Sequence, residues 1–119
     1  NSLTHKPLTH KPFANTVIGI IDNLHTDRKH FRLIEQLEAA VTSIALNISF
    51  KHSRGERKNF RKEFTQFLYI ARASVYETIT LLIICEKRQW ISADQLTQLE
   101  KDGKEIVKMI KGFINYLNK

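Results

Sequence analysis

Apolar residues recur along most of this chain in steps of three and four, the spacing that keeps side chains on one face of an α-helix. The clearest run is Phe60, Phe64, Phe67, Ala71, Ser74, Thr78, Leu81 and Cys85. Steps of four and three sustained over so many turns have a 3.5-residue period, which means left-handed, near-antiparallel, coiled-coil-like packing against neighbouring helices. Leu96, Leu99, Gly103, Ile106, Ile110, Phe113 and Leu117 repeat the device. They follow Ser92 and Gln95, whose S-x-x-Q spacing predicts a capping box. Upstream, Ile34, Leu37, Val41, Ile44 and Ile48 advance by three, four, three and four, and a shorter cluster of Val17, Ile18, Ile20, Ile21 and Leu24 predicts one more helix from Phe13.

Four helices are therefore expected, over about 13–25, 27–49, 57–88 and 93–118. Thr26 or Asp27 would cap the second by offering a side-chain oxygen to a free backbone N–H. Short connections between long amphipathic helices force antiparallel neighbours, so the expected fold is all-α, an up-down-up-down four-helix bundle over residues 13–119. Leu68, Val75, Leu82, Ile83, Val107, Met109 and Ile114 flank the stripes and make them wider than one seam needs. Either the core is broad or a second face meets another subunit. The first twelve residues, NSLTHKPLTHKP, repeat LTHKP, hold both prolines and lack periodicity. They read as a flexible arm with His5 and His10 solvated, and they lack the apolar core of a secretory leader.

Composition agrees with one domain: 119 residues, 42% hydrophobic and 26% charged, with four Gly and two Pro, too few turn formers for an all-β architecture. The most apolar stretch, ITLLIIC at 79–85, is short of the roughly 20 residues a bilayer crossing needs, and Arg72, Glu77 and Glu86 surround it; no membrane partner is expected. A lone cysteine, Cys85, forms no internal disulfide, and a cytoplasmic setting is the default.

The charge is uneven. Of a formal net charge of +7, residues 51–62 supply +5, from Lys51, Arg54, Arg57, Lys58, Arg61 and Lys62 against Glu56 alone. With His52 these are the candidate nucleic-acid contacts, since each phosphate bound by a cation releases condensed counterions. Arg57, Lys58, Arg61 and Lys62 fall on the first turns of a helix, whose positive dipole end disfavours them by tenths of a kcal/mol each. Cations kept at such an end suit an anionic partner, but the same segment reads also as a solvated corner or as a dock for an acidic protein. Lys101, Lys104, Lys108 and Lys111 share one side of the last helix and read as a plain surface stripe, one that would extend the first patch if the two adjoin.

Ser43, Asn47 and Glu77 lie beside or within the apolar stripes, and a hydrogen-bond network fixing helix register is the expected role. Catalysis is not expected. The chain has no Gly-rich phosphate loop, no H-E-x-x-H, no C-x-x-C and no Glu-x-x-His of the kind that bundles use for metals. No cofactor and no metal site are expected either.

Two segments carry a resemblance. EQLEAAVTSIALNI (35–48) and KEFTQFLYIARASVYETITLLIICEKRQWIS (62–92) resemble the small four-helix-bundle proteins first noticed in intervening sequences of 23S ribosomal RNA genes. That family reads Q-x-x-x-A-x-x-S-I-x-x-N-I-x-E-G in its second helix, matched by Gln36, Ala40, Ser43, Ile44, Asn47 and Ile48. It reads F-x-x-F-L-x-I-A-x-G-S-x-x-E in its third, matched by Phe64, Phe67, Leu68, Ile70, Ala71, Ser74 and Glu77. The chain departs from the pattern at Ser49, Phe50 and Lys51, where Ala-Glu-Gly is usual, and at Ala73, where glycine is usual. The resemblance implies a homo-oligomeric ring of five without a catalytic site, and an association with ribosomal RNA. The chain is similar also to the accessory proteins of diversity-generating retroelements, which implies a protein partner such as a reverse transcriptase, and nucleic acid held on a basic surface. The function expected on these grounds is a non-enzymatic scaffold that binds structured RNA, with an adaptor ring docking an acidic or enzymatic partner as the alternative.

Overall fold

A computed structural model describes residues 10–24, 30–49 and 60–119. It contains four helices, α1 (His10–Asp22), α2 (Phe31–Ile48), α3 (Phe60–Lys87) and α4 (Ala93–Leu117), and no strand among the described residues.

α1 begins three residues ahead of the expected start, taking in Lys11 and Pro12. Proline is compatible with a first turn because backbone N–H groups there have no intrahelical acceptor to lose. Residues 10–12 of the expected arm are thus helical; residues 1–9 lie outside the described residues, as do Thr26 and Asp27. α2 is described from Phe31, and at its cap position His30 makes no side-chain capping bond. Its ring instead meets the Trp90 indole edge-on, with centroids 5.0 Å apart. α4 starts as expected: Ser92 Oγ accepts from Gln95 N at 3.0 Å, and Gln95 Oε1 accepts from Ser92 N at 2.8 Å.

Pairs along the seams fix the directions. Arg61 meets Leu117, the Phe64 ring lies tilted against that of Phe113 with centroids 6.3 Å apart, and Ile79 lies against Gly103, so residue numbers fall on α4 as they rise on α3. His30 with Trp90 and Ser43 with Ser74 run oppositely in the same way, making α2 antiparallel to α3. α1 packs on α2 and touches α4, closing the bundle. The molecule measures 48 × 25 × 17 Å, and the 28-residue α3, at about 1.5 Å per residue, accounts for most of the long axis.

The core is broad. Besides Phe64, Ala71, Ser74, Thr78, Leu81 and Cys85 from the heptad run, α3 buries Leu68, Val75 and Leu82 almost completely. It packs against α2 on one side and α4 on the other, so it needs two adjacent stripes. Phe60 and Phe67 remain partly exposed. On α4 Met109 and Ile114 are buried beside Leu99, Ile106, Ile110 and Phe113. Full burial of side chains such as Leu82, Ile106 and Ile110 stabilises the fold by roughly 1.5–3 kcal/mol apiece.

α3 is nonetheless apolar beyond what its core requires. Tyr69, Ile70, Tyr76 and Ile84 are exposed. By length and composition alone the helix qualifies as long and apolar enough to cross a membrane, with a mean hydropathy of 1.5 over its most apolar 18-residue window. The run 79–85 understated this, because the apolar residues extend to both faces of the helix.

Candidate nucleic-acid interface

The basic segment leaves α2 at Ser49 and enters α3 at Phe60. Lys51, His52, Arg54, Arg57 and Lys58 lie outside the described residues. Arg61 and Lys62 are described, both exposed in the first turn of α3. Arg61 resolves the unfavourable placement expected of it: its Nη1 donates to the Leu117 carbonyl at 3.1 Å. The last carbonyls of a helix lack intrahelical donors and carry partial negative charge, so a guanidinium is favoured there. The cation begins on the positive end of α3 but rests on the negative end of α4.

That contact brings the start of α3 to the end of α4, toward which the four lysines of α4 lead. Lys101, Lys104, Lys108 and Lys111 are all exposed, over about 15 Å of helix. They occupy the side turned away from Ile106 and Ile110. Among the described residues no carboxylate pairs with any of them, although Glu100 and Glu105 share the helix.

Between α3 and α4 a recess of about 130 Å³ is lined by Val75, Tyr76 and Ile79 on one side and by Glu100, Gly103, Lys104 and Val107 on the other. Gly103 makes the approach possible, since a Cβ there would stand 3.0 Å from Ile79 Cδ1. One heptad before Tyr76, the Arg72 guanidinium lies over the Tyr69 ring, 5.0 Å from its centroid. Periodicity alone did not single out these tyrosines, because they fall outside the buried stripe.

At the α2–α3 seam, Asn47 Nδ2 donates to Ser43 O at 2.7 Å and to Ser43 Oγ at 3.0 Å. Ser43 Oγ and Ser74 Oγ are 2.9 Å apart, and Ser74 Oγ donates to Ile70 O at 3.0 Å. Because the Ser74 proton is committed to Ile70, Ser43 is the donor to Ser74, and the chain of bonds runs one way from Asn47 to α3. Ser43 and Asn47 hold the expected positions, but Glu77 does not join them. It is exposed, and Thr78, four residues after Ser74 and on the same face, takes the buried place and donates to Ser74 O at 2.7 Å.

Cys85 is buried. Burial pushes its thiol above the ordinary value, with Arg88 and a backbone hydrogen bond pulling the other way, which is the reverse of an activated nucleophile. Among the described residues no group of three or more His, Cys, Asp or Glu side chains is placed to hold a metal ion.

A family model described as 23S rRNA-intervening sequence protein matches residues 10–112. The chain belongs to the 23S rRNA-intervening sequence protein family. The match starts where α1 starts, takes in the basic segment, and ends within α4, so the family relationship covers all of the bundle but the end of α4. No curated protein and no solved structure matches the chain.

Proposed function

We propose that this 23S rRNA-intervening sequence protein is a non-enzymatic scaffold that assembles with copies of itself, in a ring of five, and offers basic surface to structured RNA. One observation carries the reading. Arg61 sits on the end of α4, so the described start of the basic segment, Arg61 with Lys62, adjoins the helix that carries Lys101, Lys104, Lys108 and Lys111. The α4 lysines, which no carboxylate among the described residues pairs, concentrate a positive potential, and a ring would multiply it by the number of subunits. The family's name points to RNA as the polyanion, and a cytoplasmic setting goes with it.

Charge reversal tests the reading. R57E/K58E/R61E is expected to abolish binding to RNA in a mobility-shift assay while light scattering returns the wild-type assembly mass. Full binding by the reversed variant would refute it. The exposed Tyr69, Ile70, Tyr76 and Ile84 of α3 and Leu46 of α2 favour a second reading, an adaptor ring whose apolar face docks a protein such as a reverse transcriptase. In that case the same variant would keep its protein partner and wild-type protein would show no affinity for RNA even at low salt.

A further inference from the structure

Exposed tyrosines of α3 and exposed lysines of α4 recur at heptad spacing on either side of the α3–α4 recess. Tyr76 and Lys104 line the same recess. Because the helices are antiparallel, the arrangement repeats one heptad on: Tyr69 is seven residues before Tyr76 and Lys111 seven after Lys104. Both lie about 10.5 Å nearer the end where Arg61 meets Leu117. Tyr69 is 42% exposed and Tyr76 58%, although an apolar seam stands directly beside them. Glu100 is the carboxylate in the recess wall; it lies one turn from Lys104 without pairing to it.

We propose that this groove is a track for a nucleic-acid strand, with Lys104, Lys108 and Lys111 on phosphates and the rings of Tyr69 and Tyr76 stacking on bases. The proposal rests on the RNA-binding reading above but assigns a surface separate from residues 51–62. Flat aromatic rings beside a cationic row are what a single strand needs, since every base has a π-face and every nucleotide a phosphate. A purely apolar protein surface covering the groove would strip water from the ammonium groups without offering them an anion, whereas a sugar-phosphate backbone supplies one at each step.

The test is fluorescence anisotropy with the full chain and a labelled uridine homopolymer RNA, titrated at several salt concentrations, with a duplex RNA of the same length in parallel. K104Q/K108Q/K111Q is expected to flatten the plot of log affinity against log salt by about 2, at roughly 0.7 for each single-strand phosphate no longer held. Tyr69→Leu with Tyr76→Leu keeps apolar cover over the recess but removes the rings. It is expected to weaken binding about fivefold or more per base stacked while leaving the salt slope unchanged, and Phe at both positions should restore wild-type affinity. A lysine variant with the wild-type slope overturns the groove but leaves binding through residues 51–62 standing. A wild-type chain that binds neither RNA refutes the underlying reading itself. Leucine variants whose assembly mass falls while RNA affinity holds would mark the groove as a contact between proteins and overturn the proposal.

Discussion

Gly103 of α4 packs against Ile79 and Val75 of α3, and adding one methyl group there probes the seam. A Cβ at position 103 would lie 3.0 Å from Ile79 Cδ1, 3.3 Å from Ile79 Cγ1 and 3.5 Å from Val75 Cγ1. Carbon atoms prefer separations of about 3.5–4.0 Å, so the Ile79 methyl must withdraw by roughly 0.5–1 Å. Ile79 is partly exposed and borders the recess, which gives it room to move. The strain belongs at the low end of the roughly 1–3 kcal/mol typical of overpacking. Against it stands a gain of about 1 kcal/mol in helix propensity. Gly103→Ala is therefore expected to change stability by less than about 1 kcal/mol. Ile79→Val removes the methyl that is struck, at its own cost of about 0.5–1.5 kcal/mol. In that background Gly103→Ala should become stabilising, giving a favourable coupling near 1 kcal/mol in a double-mutant cycle. Urea denaturation at one fixed protomer concentration reads this out, because assembly would make stability concentration-dependent. If Gly103→Ala costs the same in both backgrounds, the close approach does not involve the end of Ile79 and the seam is described wrongly.

Three further outcomes follow from local geometry. Gln89 closes α3 with φ 63°, in a Schellman arrangement where Trp90 N bonds Cys85 O and Gln89 N bonds Glu86 O; Gln89→Gly relieves the left-handed backbone and should stabilise by about 0.5–1 kcal/mol, raising the thermal midpoint by a few degrees, whereas a lowered midpoint would contradict that geometry. Arg61→Ala removes a donor from the last turn of α4, so the amides of that turn should exchange with solvent faster while overall stability changes little; unchanged exchange would mean the Leu117 contact does not form in solution. The Cys85 thiol, held above its ordinary value by burial, binds its proton more tightly folded than unfolded. The contribution is therefore fully present below the ordinary thiol value and is lost as pH rises through and above it. Cys85→Ala should remove that alkaline decline, and the wild-type thiol should react with an alkylating reagent only after unfolding.

The bundle was legible because α3 and α4 each hold a heptad-like stripe, and most of those positions became the core, with Phe60, Phe67, Leu96 and Leu117 partly buried at its border. What periodicity left open was whether the flanking residues form a second seam or a contact with another subunit. A helix clamped between two others buries Leu68, Val75 and Leu82 as deeply as the marked positions, and a single-stripe reading treats them as flanks. Pro12 misled for a different reason: proline breaks helix interiors but is compatible with first turns, so it marked a start and not an arm. Ser43 and Asn47 were readable as hydrogen-bonding neighbours beside the α2 stripe, whereas Glu77 was grouped with them although the heptad steps put Thr78, not Glu77, on the buried stripe of α3. The link from Arg61 to Leu117, and with it the relation of the two basic stretches, depends on a contact 56 residues apart in sequence, which no local pattern encodes.

The measurement closest to the centre of this account is the salt dependence of RNA binding by the wild-type chain. A polyanion held by the cations of residues 51–62 and of α4 should give a log–log slope of about −3 or steeper, at roughly −0.7 for each single-strand phosphate engaged. A slope near zero, or no binding at the lowest ionic strength, would contradict it.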